Sequence, residues 1–422
     1  MIQLAAEEEK KENLGASLKV IGIGGAGGNA VNSMITSGEL DKVEFLAANT
    51  DAQALSMSSA QEKIQLGGKI TKGLGAGSNP DIGKRAAEED LDSILQKISD
   101  SDILFLTAGL GGGTGSGALP VIAKSAKDLG VLSVAVVATP FDFEGKRRQR
   151  HSTEAIKNLK QAVDTLIVVP NQKLLEQADP KISMLDAFSM SDDVLKQAVK
   201  GISDIITKAG HINVDFADVR EIMKDMGMAI MGIGRAEGED RARQAALKAI
   251  NSPLLEDVSI KGAKGVLINI TGNTDLGLHE INEAATLVHD MVSEDAQIIL
   301  GSVIDPNIGN EIMITVIATG FEDQQEVIDD IVKEQPVEQK TEEVKLERQE
   351  KAISFKESEE RSDDLKEVKF EDEGVKITPG NVSTESFDLK DIDTPTFLRK
   401  KAEEDNFKKT KDSQEKEKHI LS

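Results

Sequence analysis

Residues 103–117 read Ile103-Leu104-Phe105-Leu106-Thr107-Ala108-Gly109-Leu110-Gly111-Gly112-Gly113-Thr114-Gly115-Ser116-Gly117. An apolar run passes into a glycine loop, and Ala118-Leu119-Pro120-Val121-Ile122-Ala123-Lys124 follows with helical character. A strand, a glycine loop and a helix in that order set bare backbone N–H groups at a helix N-terminus, which is a geometry that binds phosphate. Glycine permits close approach and positive φ. Thr114 and Ser116 offer hydroxyl donors to phosphate oxygens. No Gly-Lys-Ser/Thr follows, so the phosphate is held without the usual lysine.

Working outward, apolar strands alternate with helices. Strands are expected at Leu18–Ile23, Phe45–Ala48, 103–106, Leu132–Ala138 and Leu166–Val169. Helices are expected from about Asn29 to Ser37, from Pro80 to Ile98, from near Thr114, and from Gly145 to Ala162. Near-continuous apolar strands in such an alternation mean an α/β fold with a Rossmann-like parallel sheet covered on both faces. Val194, Leu195, Ala198, Val199, Ile202, Ile205, Ile206 and Ala209 then recur at helical spacing, predicting a long buried helix between two domains. Apolar runs at 228–233, 265–270, 298–300 and 312–317, with a helix at about 279–292, predict a smaller α+β domain ending near Phe321. The expected division is a flexible segment at 1–16, a phosphate-binding domain at 17–191, the central helix and the start of a loop at 192–212, and the α+β domain at 213–321.

The chain has 422 residues and a net charge of −24. That balance argues against non-specific nucleic-acid binding, which needs Lys and Arg to neutralise phosphates. With no Cys there is no disulfide and no thiolate chemistry, which fits a reducing cytoplasm. Met1 to Lys11 is acidic and does not read as a signal peptide. Apolar runs have strand length, so no membrane insertion is expected. Residues 322–390 are rich in Glu, Asp, Lys, Gln and Ser, and read as a disordered linker with a span of about 40–50 Å. An island at 391–400 contains Ile392, Pro395, Phe397, Leu398 and Arg399; it reads as a docking peptide or as an ordinary apolar cluster, and a charged extension follows at 401–422.

Gly22-Ile23-Gly24-Gly25-Ala26-Gly27 matches G-x-G-x-x-G. It is either a dinucleotide fingerprint, with Asp51 of Asn49-Thr50-Asp51 as the ribose acid, or a tight turn that binds nothing. Gly28 adds a further glycine, and Asn29 an amide that meets a base edge or caps a helix. Two phosphate-type loops on one sheet fit a mononucleotide triphosphate better than a dinucleotide. A third loop, with Ala76 and Gly77, reaches a terminal phosphate or merely connects. Glu144 and Arg148 suit ribose hydroxyls and phosphate or base, or are a plain helix start. Phe188, Asp192 and Asp193 stand at the expected start of the long helix. A carboxylate there accepts from guanine N1–H and its exocyclic amine, or simply answers the helix dipole. Asp215 and Asp218 share a helix face; they hold a cation, orient a water at a γ-phosphate, or belong to a capped amphipathic helix with Phe216, Val219, Met223 and Met226. The five His residues have no metal-ligand spacing, and no metal site is expected from protein side chains.

Together these stretches resemble the tubulin/FtsZ family of GTPases, and within it the bacterial cell-division branch. The resemblance covers about 17–321 and the island at 392–400, and rests on Val20–Asn32, Ala48–Leu55, Gly111–Gly117, Phe143-Glu144-Gly145 and Asn213–Arg220. It implies GTP as substrate, GDP as product, and Mg²⁺ bound mainly through phosphates and water. It implies nucleotide contacts from Gly25, Ala26, Gly27, Gly28, Asn29, Asn49, Asp51, Ala76, Gly77, Gly111, Gly112, Gly113, Thr114, Gly115, Glu144, Arg148, Asn171, Phe188 and Asp193. It makes Asn213, Asp215 and Asp218 catalytic toward the GTP of the next subunit in a head-to-tail filament. It further implies a cytoplasmic protein at mid-cell, docked through residues 391–400 to membrane tethers such as FtsA or ZipA and to division regulators. The chain departs from the family in Ser116 for the usual Thr, in Asp192 for the usual Asn, in Thr139 before Pro140, and in the extension past the docking peptide.

Overall fold

In the computed structural model, residues 15–321 are described, except 209, 211, 213 and 256–259. The predicted strand–helix alternation folds as β1 (Leu18–Ile23), α1 (Gly24–Ser37), β2 (Val43–Asn49), α2 (Ala52–Ser56), β3 (Glu62–Gln65), α3 (Gly68–Thr71), α4 (Pro80–Glu89), α5 (Leu91–Ile98), β4 (Ile103–Gly109), α6 (Thr114–Asp128), β5 (Leu132–Thr139), α7 (Lys146–Ala162) and β6 (Thr165–Pro170). After these come α8 (Asn171–Gln177), α9 (Met184–Thr207), α10 (Phe216–Met223), β7 (Gly227–Ala236), α11 (Arg241–Ile250), β8 (Gly265–Gly272), α12 (Leu278–His289), β9 (Gln297–Ile304) and β10 (Ile312–Thr319). The strands form one sheet in the order β3-β2-β1-β4-β5-β6-β7-β10-β8-β9. Strands β1 to β6 are mutually parallel, and β7 continues parallel to β6. Strand β10 is antiparallel to both β7 and β8, while β9 is parallel to β8.

The unbroken apolar runs are explained by burial on both faces. Ile21, Leu104 and Leu106 pack to one side, among Ile122 of α6 and Ile156 of α7. Val20, Ile103 and Phe105 point to the other, among Val31 of α1 and Ile202 of α9. Alternation along a strand thus feeds two cores from one sheet.

Several boundaries differ from expectation. Helix α1 begins at Gly24, not near Asn29, so the glycines themselves form its first turns. The Pro80–Ile98 helix is broken at Asp90, whose backbone leaves helical geometry (φ −108°, ψ 18°) while its carboxylate accepts from Gly67 N–H at 2.6 Å. The long helix begins at Met184, because Ser183 Oγ accepts from Asp186 N–H at 3.1 Å and caps it there. Exposed Met184 and Leu185 interrupt the apolar stripe, which hides that first part from a periodicity reading. Phe188, Asp192 and Asp193 therefore lie inside α9 and not at its start, so an N-terminal dipole does not account for them. Strand β3 buries Ile64 alone and offers no apolar run. Among the described residues no helix is long and apolar enough to cross a membrane.

Candidate nucleotide site

Strand order reverses between β1 and β4: from β1 the chain moves to β2 on one side, and β4 lies on the other. In an open parallel sheet the loops beyond the carboxyl ends of such strands diverge and leave a crevice. Both glycine loops stand at that crevice, one after β1 and one after β4.

The helices that follow share a feature, which α3, α7, α8 and α11 also have. Neither α1 nor α6 has a side-chain cap or an acidic residue in its first turn, whereas α4, α9 and α10 are capped by Asn79, Ser183 and Asp215. The first N–H groups of a helix have no internal partner, so two uncapped N-termini side by side present donors and positive dipole ends to an anion. They nearly touch: a Cβ on Gly24 would lie 3.1 Å from Gly115 N. The glycines divide into two kinds. A Cβ on Gly22 would fall 2.3 Å from Gly27 O and one on Gly27 2.4 Å from Thr107 O, so these permit close packing of α1 on the sheet. Gly25, Gly28 and Gly112 have nothing within 4 Å of that position, so they face open space. Asn29 is the sixth residue of α1 and is exposed, so it does not cap that helix.

The loop after β4 is shaped internally. Ser116 is buried, and its Oγ accepts from Gly111 N–H at 2.8 Å. Its oxygen thus braces the loop as an acceptor. Thr114 Oγ1 lies 2.7 Å from Thr50 Oγ1, joining the end of β2 to the loop. A Cβ on Gly113 would meet Asn79 N at 2.8 Å and Ala76 Cβ at 2.9 Å, so the third loop lies against this one. That third loop is pinned by Gly75 N–H donating to Thr50 O at 3.2 Å and Ala52 N–H donating to Gly73 O at 3.0 Å. Ala76 is buried and Gly77 exposed. Asn49 Oδ1 accepts from Asp51 N–H at 3.2 Å. Asp51 Oδ1 accepts from Gln53 N–H at 2.9 Å and Ala54 N–H at 3.0 Å, capping α2. The acid that a dinucleotide would use is therefore occupied as a helix cap.

At the other side of the crevice, Glu144 and Arg148 form an ion pair across one turn, and Glu144 Oε1 also accepts from Phe141 N–H at 3.0 Å. A Cβ on Gly111 would sit 2.9 Å from Arg148 O, so the glycine loop rests on the start of α7. Phe141 and Phe143 stack at 5.1 Å, and Phe188 meets Phe141 edge-on at 5.3 Å. Asn171 is buried and its Oδ1 accepts from Ser191 Oγ at 2.7 Å. Asp193 is exposed and pairs with Lys196 Nζ at 3.2 Å. Burial, and then the neighbouring Asp193 carboxylate, push the Asp192 carboxyl up to about 7. Thr50, Phe141, Phe143 and Ser191 are neighbours that the sequence reading did not single out. The Asn49-Thr50-Asp51 turn and the Phe141-Asp142-Phe143 spacing are the signals that point to them.

Asp215 and Asp218 are not in this crevice. Asp215 Oδ1 accepts from Asp218 N–H at 2.9 Å and caps α10. Helix α10 is fastened under the opposite ends of the parallel strands. Arg220 donates to Gly130 O, just before β5, at 3.2 Å; Thr165 Oγ1, at the start of β6, donates to Met223 O. The glycine loops leave the carboxyl ends of strands about 20 Å long. One subunit therefore cannot bring its own Asp218 to its own crevice. Asn213 and the docking residues Ile392, Pro395, Phe397, Leu398 and Arg399 lie outside the described residues. Among the described residues no group of three or more His, Cys, Asp or Glu side chains could hold a metal ion.

Sheet and crevice define the class: an α/β protein with the architecture of a nucleotide-binding domain. Residues 17–179 match the GTPase domain of the tubulin/FtsZ family, and 227–322 the C-terminal domain of the FtsZ family. An FtsZ dimer from M. jannaschii is 46% identical over 72% of this chain and 88% of its own, with a TM-score of 0.70. A point mutant of the same organism's FtsZ is also 46% identical, over 73% of this chain and 92% of its own, with a TM-score of 0.70. CetZ2 from Haloferax volcanii, at 20% identity, 75% and 96% coverage and a TM-score of 0.63, shares the fold. The chain belongs to the FtsZ family of tubulin-like GTPases. It is a cytoskeletal GTPase and binds guanine nucleotide.

Proposed function

We propose that this protein assembles head to tail and hydrolyses GTP only at the junction between two subunits. The reading is carried by the opposite placement of the uncapped helix N-termini and the Asp215–Asp218 turn. Stacking one copy on the next sets the acidic turn of one above the crevice of the other. The FtsZ dimer among the similar structures supports self-association.

In the crevice, amides of Gly25 to Asn29 and Gly111 to Gly115 hold the phosphates, with Ala76 and Gly77 toward the γ-phosphate. Glu144 and Arg148 take the ribose and phosphate side, Asn49 and Asp51 support the loop, Phe188 packs on the base, and Asn171 and Asp193 read guanine. Asp193 accepts from N1–H and the exocyclic amine, a donor set that adenine lacks. Mg²⁺, held through phosphate oxygens and water, would offset charge on the transferring phosphoryl group. Asp215 and Asp218, with Asn213, orient the attacking water. Catalysis is then positioning plus electrostatics at a phosphoryl centre. Loss of the γ-phosphate weakens the junction and releases subunits.

On this reading the filament scaffolds the bacterial division ring and septum from the cytoplasmic side at mid-cell. The 391–400 peptide tethers it to membrane partners such as FtsA or ZipA, and nucleic acid is not a partner. The test is GTP turnover per subunit against protein concentration. A steep rise above an assembly threshold is expected, and a flat dependence would overturn the shared site.

A further inference from the structure

The acidic turn is held from the far part of the sheet as well as from β5 and β6. After α9 the chain passes over β9, the last strand in sheet order. There Ile212 and Ser302 form an isolated antiparallel bridge. Ser302 N–H donates to Ile212 O at 3.2 Å, and Ile212 N–H donates to Ser302 Oγ at 2.9 Å. One residue thus grips both polar groups of the Ile212 backbone, the second through its side chain. Ser302 is 1% exposed. Its hydroxyl interrupts an otherwise apolar stretch, Ile298-Ile299-Leu300 and Val303-Ile304, where packing alone would favour a hydrocarbon. The approach is closest at Gly210, where a Cβ would lie 1.5 Å from Ser302 O.

The other end of the turn is equally fixed. Asp215 caps α10, and Thr319 Oγ1 donates to Ile222 O at 2.8 Å from β10. Only residues 213 and 214 separate the Ile212 bridge from the Asp215 cap, so the two are three steps apart, a reach of about 11 Å at most. So short a link leaves little room to absorb a shift at Ile212 before it reaches Asp215.

We propose that Ser302 is a positioning residue for GTP hydrolysis: its hydroxyl fixes Ile212, and so sets where Asp215 and Asp218 stand over the neighbouring subunit's nucleotide. The inference rests on the shared-site reading above. A misplacement of about 1 Å can cost on the order of 100-fold in rate, so losing the anchor should affect turnover more than binding.

Ser302→Thr and Ser302→Val have nearly the same shape and differ in the oxygen. In the full chain, assembled at saturating GTP, Ser302→Thr should turn over within about 3-fold of wild type. Ser302→Val should fall by about 10-fold or more per assembled subunit, with KM for GTP and monomer affinity for GDP unchanged. Gly210→Ala displaces the same contact without touching the hydroxyl and should show the same split; it decides the matter if the valine variant fails to bind GDP. Equal turnover of the threonine and valine variants, or wild-type turnover by a GDP-binding Gly210→Ala protein, overturns the positioning role. Asp218→Ala is measured alongside. If that variant hydrolyses GTP like wild type, the shared-site reading itself fails. If it is inactive while threonine and valine agree, only the role of Ser302 is lost.

Discussion

The two ends of the sheet meet their hydrogen-bonding needs in opposite ways. At the crevice, α1 and α6 begin without side-chain caps, and their amides await a partner from outside the chain. At the far end, α10 is capped by Asp215 and its last carbonyls are taken by Thr165 and Thr319. One end is built from glycine and is incomplete alone. The other is built from side-chain bonds and is complete before any ligand arrives. A site made by stacking such ends joins an adaptable cradle to a rigid acid.

The contrast can be broken from either side. The largest effect is expected for Asp218→Ala, which should lower GTP turnover in assembled protein by on the order of 100-fold or more while leaving GDP affinity unchanged. Steady-state phosphate release paired with GDP titration would show it, and a proportional loss of affinity would contradict it. At the cradle, Gly117→Ala puts a Cβ 1.9 Å from Pro80 O, where α4 and α6 touch through backbone. Overpacking of that kind should cost about 3 kcal/mol in denaturant unfolding.

Asp192 gives a smaller, pH-dependent effect. Its carboxyl is raised to about 7 from 3.8 by burial and then by Asp193. The folded protein therefore holds this proton where the unfolded chain has released it, so stability falls as pH rises from about 4 to 7 and then levels off. Asp192→Asn should remove that part of the slope and raise stability above pH 7 by about 1–2 kcal/mol. Parallel unfolding curves across that range would exclude it. Smallest is Thr319→Val, which deletes the bond to Ile222 O and should cost about 1 kcal/mol. A loss of turnover larger than the loss of stability would show that β10 also helps to aim the acids.

The glycine segments are legible in the sequence because few residues other than glycine survive where backbones meet at 2–3 Å, as at Gly22 and Gly27. Asp215 and Asp218 are legible as a pair because three residues is the spacing from a helix cap to the N–H it accepts from. The true start of α9 is not, since Met184 and Leu185 are exposed and leave no stripe. Nor is the bracing bond of Ser116, since only the fold shows its oxygen accepting from Gly111 N–H. The Thr50–Thr114 contact joins residues 64 apart in sequence, so no local pattern carries it.

Strand β6 pairs with β7 through Thr165↔Gly227, Leu166↔Met228 and Ile167↔Ala229 alone, the shortest ladder in the sheet. The sheet is thus joined there along a narrow seam, with α9 packed against strands on both sides of it. Helix α10 straddles that seam, held by Gly130 and Thr165 on one side and by Thr319 on the other. Thr165 is the first residue of that ladder, and the same residue fastens α10. The acidic turn thereby sits on the join between the parallel strands and those after β7.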